Sequence, residues 1–124
     1  YMFRNNKLLL NLDFRYNMIN ILSQNMFFNL SKLFYLQLAH NQIRILRDKT
    51  FEYLVSLKFL DLSNMLIQLI ENKAFMNLFT LTYINLENNL LHALDKEIFY
   101  PLRCIKRNAK WRIKWLYVIV WLLL

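Results

Sequence analysis

The chain has 124 residues, of which 57% are hydrophobic and 19% are charged, so it can bury a core and is not a disordered tail. Glycine is absent and proline occurs once, which excludes a glycine-rich phosphate loop and the nucleotide-binding sites built on one. The formal net charge is +8, and six basic residues follow residue 102, so most of the excess positive charge belongs to the C-terminal segment.

The cysteine and histidine content predicts neither a disulfide nor a metal site. Cys104 is the single cysteine, so no disulfide can form within the chain. His40 and His92 do not combine with it at the spacing of a zinc site. We therefore expect no metal and no cofactor.

Leucine, asparagine and phenylalanine recur together at a regular 24-residue interval. One unit carries this pattern at Leu33, Leu36, Leu38, Asn41, Ile43, Leu46, Phe51 and Leu54. Shifting the frame by one interval recovers the same residue classes, with one exception at Met65. The pattern predicts four units at 9–32, 33–56, 57–80 and 81–104, with residues 1–8 ending a partial preceding repeat.

Over residues 3–104 this pattern resembles the leucine-rich repeat family, whose signature is L-x-x-L-x-L-x-x-N-x-L. The phenylalanine ten residues after each asparagine is similar to the 24-residue "typical" class of that family. The resemblance implies an α/β-type solenoid, a right-handed coil with a short-stranded parallel sheet on its concave face. An ordinary leucine-rich helical domain conflicts with the short alternating runs that begin each unit.

Each L-x-L run predicts one short strand. Leu36 and Leu38 should point into the core while Gln37 and Ala39 point to the open surface, because side chains alternate along a strand. Stacked units should pair these strands at a spacing of about 4.8 Å, since one unit alone cannot bury its leucines. A second buried row of large side chains is predicted on the convex side, at Phe27, Phe51, Phe75 and Phe99.

A ladder of buried asparagines is predicted where each unit leaves its strand. Asn17, Asn41 and Asn89 have amide side chains that can pair backbone groups at that bend. Met65 cannot supply these hydrogen bonds, so we expect a local weakness unless Asn64 shifts inward or a water replaces the amide.

The resemblance directs ligand binding to the concave residues between the strand leucines. The predicted files across the units are Asn11, Tyr35, Phe59 and Tyr83; Asp13, Gln37, Asp61 and Asn85; Arg15, Ala39, Ser63 and Glu87; and Tyr16, His40, Asn64 and Asn88. Exposed aromatics in a row commonly mark a protein contact, although neighbouring rings could simply cover one another. The candidate partner-binding residues are Tyr35, Phe59, Tyr83, Asp13, Gln37, Asp61, Asn85 and His40.

An enzymatic interpretation of the same surface is weaker. His40, Ser63 and Asp61 superficially form a triad, but no helix terminus or glycine elbow is available to build an oxyanion hole. We therefore expect neither catalysis nor a small-molecule substrate. His92, after Leu91, is expected to be a solvated side chain.

Cellular location is indicated by analogy alone. Asn29-Leu30-Ser31 is an N-glycosylation sequon, and such sequons also arise by chance. Members of the 24-residue class, such as Toll-like receptors and matrix proteoglycans, are largely extracellular, which favours an extracellular or cell-surface location.

Residues 105–124 form a basic and then apolar tail. Extracellular members close with a cysteine-rich cap that this chain cannot form, so we expect a fragment. The ten-residue apolar run 115–124 would span about 15 Å as a helix, half of a bilayer core. It could cap the last unit, lie beyond the true repeat region, or begin a membrane helix. In the last case the basic cluster would place the repeats on the cytoplasmic face.

The sequence thus predicts a protein-binding repeat module, a fragment of a receptor or matrix-type protein that binds a protein on its concave face. The alternative is a membrane-anchored or structural repeat fragment without a ligand site. Residues 106–124 could contact anionic lipid, whereas nucleic acid is an unlikely partner for so short a basic stretch.

Overall fold

The computed structural model describes residues 2–102, Cys104 and the backbone of the strand Trp111–Arg112. Its elements in chain order are β1 (Asn11–Asp13), β2 (Tyr35–Gln37), β3 (Ile45–Leu46), β4 (Phe59–Asp61), β5 (Leu69–Ile70), β6 (Tyr83–Asn85), a 3-10 helix (Lys96–Phe99) and β7 (Trp111–Arg112).

Five of these strands form one parallel sheet in the order β1-β2-β4-β6-β7. Tyr35 pairs with Asn11 on one side and with Phe59 on the other, and Phe59 pairs in turn with Tyr83. Each step across the first four strands of the sheet therefore equals one interval of the repeat. This register is compatible with the 24-residue class.

The sheet continues one strand beyond the four predicted units, into the segment that the sequence analysis assigned to the tail. Trp111 pairs with Ile84 and Arg112 pairs with Asn85, a longer step along the chain than the one that separates Tyr83 from Phe59. Parallel pairing uses backbone groups, so a segment without the leucine pattern can still extend the sheet. Side-chain periodicity alone could not predict this strand.

The alternation predicted for each strand gives the core its inner layer. Leu36 and Leu38 are both fully buried, whereas Tyr35 is 43% exposed. In the next unit Leu60 and Leu62 are also fully buried. The strands therefore present their leucines inward, as the sequence predicted. The prediction of open concave positions is wrong at Ala39 and Asn85, which are only 3% and 7% exposed because neighbouring units cover them.

The convex side carries the predicted phenylalanine row. Phe27, Phe51, Phe75 and Phe99 are each fully buried. The centroid of the Phe51 ring lies 5.9 Å from that of Phe27 and 6.2 Å from that of Phe75. The Phe75 and Phe99 rings are 6.2 Å apart. These spacings fit aromatic pairs, so the row is a continuous apolar stack along the solenoid.

The return path of each unit is made of turns and a second, two-stranded parallel sheet instead of α-helices. β3 pairs with β5 at Ile45↔Leu69 and Leu46↔Ile70, again in the register of the repeat. Residues 2–102 contain no α-helix, and the short 3-10 helix begins after Asp95, whose carboxylate accepts the Glu97 N–H. The expected α/β-type solenoid is therefore a solenoid of low helix content.

No helix within the described residues has the length and apolar character required to cross a membrane. The predictions for the apolar run 115–124, as cap, read-through or membrane helix, and the proposed lipid contact through residues 106–124, fall outside the described side chains.

Candidate functional site

The strand register brings three aromatic side chains of the concave sheet into one row. The ring centroids of Tyr35 and Phe59 lie 5.6 Å apart with the rings tilted by 44°. Those of Phe59 and Tyr83 lie 4.5 Å apart with an interplanar angle of 3°. We call these three residues the aromatic row. Phe34, which is 38% exposed, extends it at one end, with its ring 5.3 Å from that of Tyr35.

The rings of the aromatic row contact one another and are still partly exposed. The rings cover one another across the strands, which stabilises the sheet by roughly 0.2–1 kcal/mol per pair. They also remain partly accessible, since Tyr35 is 43% exposed and Phe59 and Tyr83 are half-buried. Phe59 and Tyr83 stack face to face, so the faces between these two rings are covered.

In the next file, three of the four polar side chains close the bend that follows their strand. The Asp13 carboxylate accepts the Arg15 N–H at 3.0 Å. Asp61 accepts the Ser63 N–H and Asn85 accepts the Glu87 N–H at the same distance. Aspartate and asparagine favour this turn because their short side chains reach the backbone two residues ahead. The sequence reasoning missed this structural role, although the regular recurrence of Asx residues at this position could have indicated it.

Asp13 is also neutralised by a neighbour. The Arg15 guanidinium donates three hydrogen bonds to the carboxylate, two from Nε and one from Nη2, which lies 2.7 Å from Oδ2 of Asp13. These hydrogen bonds from Arg15 hold the pKa of Asp13 below its usual value. The same pair raises the pKa of Arg15, with a smaller contribution from the charge of Asp61. The pair is exposed, so its contribution to stability is small.

In each unit, the residue just before the ladder position makes the bend in the left-handed region of backbone conformation. The φ angles of these four residues are 57° at Tyr16, 60° at His40, 52° at Asn64 and 56° at Asn88. Glycine usually takes this conformation, and asparagine tolerates it better than most other residues. A chain without glycine thus fills the position with asparagine in two of four units. The sequence reasoning placed these residues on the concave face without recognising the turn.

His40 and Ser63 do not form a catalytic arrangement. The imidazole of His40 stacks on the Tyr16 ring, with centroids 4.3 Å apart and an interplanar angle of 12°. The Ser63 hydroxyl is contacted by the Asn64 amide at 3.3 Å. Within residues 2–102, no hydrogen bond joins the His40 side chain to Ser63 or Asp61. Groups of acidic, histidine and cysteine side chains able to hold a metal are also absent from the described residues.

The asparagines bind the backbone of two consecutive units. The Asn41 amide donates to the carbonyl oxygens of Phe14 at 2.9 Å and Leu38 at 2.8 Å, and its oxygen accepts the Ile19 N–H at 3.0 Å. Asn89 donates to Leu62 and Leu86, and accepts from Ile67, at 2.8–3.0 Å. Asn17, in the first unit, was predicted to be buried but is exposed, and among the described residues it bonds only Phe14 and Arg15 of its own turn.

Met65 leaves one backbone group of this ladder without a partner. Asn41 accepts the N–H of Ile19 and Asn89 accepts that of Ile67, so an asparagine at 65 would accept the N–H of Ile43. Ile43 is fully buried, and its N–H has no hydrogen bond within the described part of the chain. Asn64 does not move inward, because its amide contacts Ser63 and accepts from Asn88.

We predict that Met65→Asn raises the melting temperature by a few degrees. An acceptor for the buried Ile43 N–H removes a cost of roughly 1–3 kcal/mol, and two further bonds add about 0.5–1.5 kcal/mol each. Loss of the buried methionine costs about 1.5–3 kcal/mol, so we expect a net gain of about 1 kcal/mol. Differential scanning calorimetry measures it. An unchanged or lower melting temperature would show that the orphaned amide is not a weakness.

Asn29 of the sequon has a local structural contact. Its φ is 73°, and its side-chain amide donates to the Arg4 carbonyl oxygen at 2.7 Å. Asn77, two units later, repeats both features, with φ 70° and a 3.1 Å bond to the Glu52 carbonyl. Asn29 thus ties its turn to the preceding residues, and its glycosylation stays a prediction.

Comparison with solved structures finds a matching fold in a receptor. A crystal structure of TLR13 in complex with ssRNA13 aligns with a TM-score of 0.74 and 26% sequence identity, over 78% of this chain. The match covers 14% of that receptor's chain, so the present sequence corresponds to a small part of its length. A search of curated proteins gave no significant match.

One family model matches most of the described residues. The model described as "Leucine rich repeat" matches residues 1–43, 22–67 and 37–91. These matches include β1 through β6, whose regular register carries the leucines, the asparagines and the phenylalanine row. The chain therefore belongs to the leucine-rich repeat family.

Proposed function

We propose that this chain is a protein-binding repeat module that holds its partner on the concave sheet. One observation supports the proposal: three aromatic side chains lie side by side on that sheet, in ring contact with one another, and remain partly exposed. Aromatic residues are enriched among those that dominate protein–protein binding energy, because they bury much area with little loss of side-chain freedom. Their ring edges carry partial positive charge and suit peptide carbonyl groups and aliphatic side chains.

A nucleic acid is the less favoured ligand, although TLR13 was crystallised with ssRNA13. Single strands bind where bases stack on open ring faces beside a positively charged groove. In the aromatic row, Phe59 lies face to face with Tyr83 at 4.5 Å, so no base can enter between them. The concave files also carry the acidic residues Asp61 and Glu87, while their one basic residue, Arg15, is already paired with Asp13. Phosphate groups would be repelled there.

The receptor or matrix-type origin and the extracellular or cell-surface location are parts of the same proposal. Their support is the similarity to a Toll-like receptor. The alternative is a membrane-anchored or structural module, on the cytoplasmic face of a membrane, with an inert concave face. The two differ in whether the aromatic row is needed for binding.

Replacing Tyr35, Phe59 and Tyr83 together by serine is expected to abolish capture of a protein partner from cell extract. The triple variant removes the exposed apolar area of the concave face and leaves every core leucine in place. The immobilised chain is incubated with cell extract, with and without nuclease treatment, and retained proteins are identified by mass spectrometry. Circular dichroism verifies the fold, and the single variant Tyr35→Ser serves if the triple variant unfolds.

The matched control is the double variant Ile45→Ser with Leu69→Ser. These residues are 38% and 51% exposed, and they pair with each other in the second sheet, away from the concave face. Retention by this control and loss in the triple variant support the proposal. Loss in the control alone would move the binding surface to the second sheet. Capture that disappears after nuclease treatment would point to a nucleic acid ligand.

A further inference from the structure

The two aspartates of one concave file differ in how their charge is balanced. Asp13 has Arg15 two residues later and forms an ion pair with it at 2.7 Å. The residue equivalent to Arg15 in the unit of Asp61 is Ser63, which is 5% exposed and uncharged. The same position in the repeat therefore carries a carboxylate that is ion-paired in the first unit and a carboxylate without a neighbouring arginine in its own unit in the third.

Asp61 has no ion-pair partner among the described residues. One carboxylate oxygen, Oδ1, accepts the Ser63 N–H at 3.0 Å. The neighbours in register are Gln37 and Asn85, which are polar and neutral. Lys58 lies at the start of the same strand and forms no salt bridge within the described part of the chain. The half-buried carboxylate thus occupies the middle of the concave sheet and forms no salt bridge with a described residue.

The surroundings of Asp61 define what could bind it. Phe59 precedes it by two residues in β4, so both side chains project from the same face of the sheet. Ring edges and a carboxylate therefore lie about 7 Å apart along one strand. The Asp61 charge also acts across the surface, since it contributes to the raised pKa of Arg15 two units away. A metal ion is a poor match, because one carboxylate flanked by amides offers too few charged ligands.

We propose that Asp61 binds a lysine or arginine side chain of the partner, while an adjacent aromatic or aliphatic side chain of that partner packs on the aromatic row. This proposal rests on the proposed function and adds the chemistry of the partner, a protein segment with a basic residue next to an apolar one. We choose a basic partner residue because of charge complementarity. Its cation would form with Asp61 the ion pair that Arg15 forms with Asp13.

A phage-displayed library of random peptides tests the proposal on the full chain. Peptides are selected on the wild-type protein and sequenced, then measured individually against variants by isothermal titration calorimetry. We expect selected peptides to be enriched in arginine or lysine beside an aromatic or aliphatic residue. Asp61→Asn should weaken their binding at least tenfold. Its amide oxygen can still accept the Ser63 N–H, as Asn85 does for Glu87, so the bend is preserved.

Two matched changes isolate the charge. Asp48→Asn removes the same charge outside the concave sheet, where Asp48 accepts the Lys73 N–H, and should leave binding unchanged. Replacing the peptide's basic residue by glutamine should weaken binding to the wild type tenfold and have little further effect on Asp61→Asn, because the two changes remove one shared interaction.

The outcomes separate this inference from the proposed function. Peptides that need the aromatic row but bind Asp61→Asn as tightly as the wild type would overturn the role of Asp61 and leave the concave-face proposal intact. Peptides that bind the triple serine variant unchanged, or a library that yields no binder, would contradict both.

Discussion

Replacing Phe51 by alanine is expected to lower the free energy of unfolding by about 3–5 kcal/mol, the range for deleting a large aromatic side chain from a packed core. Phe51 is fully buried and stacks between Phe27 and Phe75, at 5.9 Å and 6.2 Å. Its removal leaves a cavity that both neighbours border. Since domains are stable by only about 5–15 kcal/mol, we expect a large loss of the folded population on mild heating.

Chemical denaturation followed by circular dichroism measures this loss as a lower midpoint. Phe79→Ala is the matched control, because the same side chain is deleted from a position that is 47% exposed. Phe79→Ala should lower the free energy of unfolding by well under half as much as Phe51→Ala. Equal destabilisation by the two variants would show that the convex stack is not the continuous core that the ring distances indicate.

The sequence predicted the fold well wherever the repeat is regular. The repeat interval predicted the strand register, because Asn11, Tyr35, Phe59 and Tyr83 pair in succession. The convex phenylalanines were predicted for the same reason. A side chain that must be buried in every unit leaves a periodic trace in the sequence.

The pairing of β7 with β6 left no such trace. Trp111 and Arg112 extend the sheet through backbone pairing at a step longer than the repeat interval, which the leucine pattern does not encode. The left-handed bends were also missed, since the chain has no glycine to mark them and Tyr16 is an unusual residue for a positive φ. Only the stacked structure shows why they are there: the bend lets the next residue turn its amide inward.

For the concave surface, the sequence identified which side chains share a face and could not decide what each one contacts. It placed Asp13 and Asp61 in one file, and their different ion pairing depends on whether Arg15 or Ser63 follows two residues later. In the structure, the bend brings the residue two positions after each aspartate next to its carboxylate. The sequence spacing alone did not show this proximity.

Asn41→Leu is expected to lower the free energy of unfolding by about 2–4 kcal/mol. Leucine has nearly the shape of asparagine but cannot accept the Ile19 N–H or donate to the carbonyl oxygens of Leu38 and Phe14. Phe14 keeps a bond from Asn17, whereas the Leu38 carbonyl and the Ile19 N–H have no second hydrogen bond within residues 2–102. Each buried group left unpaired costs about 1–3 kcal/mol, partly offset by the apolar gain.

Met65→Leu is the control that separates the loss of the asparagine hydrogen bonds from the effect of placing a leucine at this position. It places leucine at the equivalent position one unit later, where no amide is lost, so it should cost less than about 1.5 kcal/mol. Chemical denaturation of both variants under the same conditions gives the comparison. If Asn41→Leu costs no more than Met65→Leu, the asparagines do not stabilise the solenoid. A clear excess would show that hydrogen bonds between units, together with leucine burial, hold the strands in register.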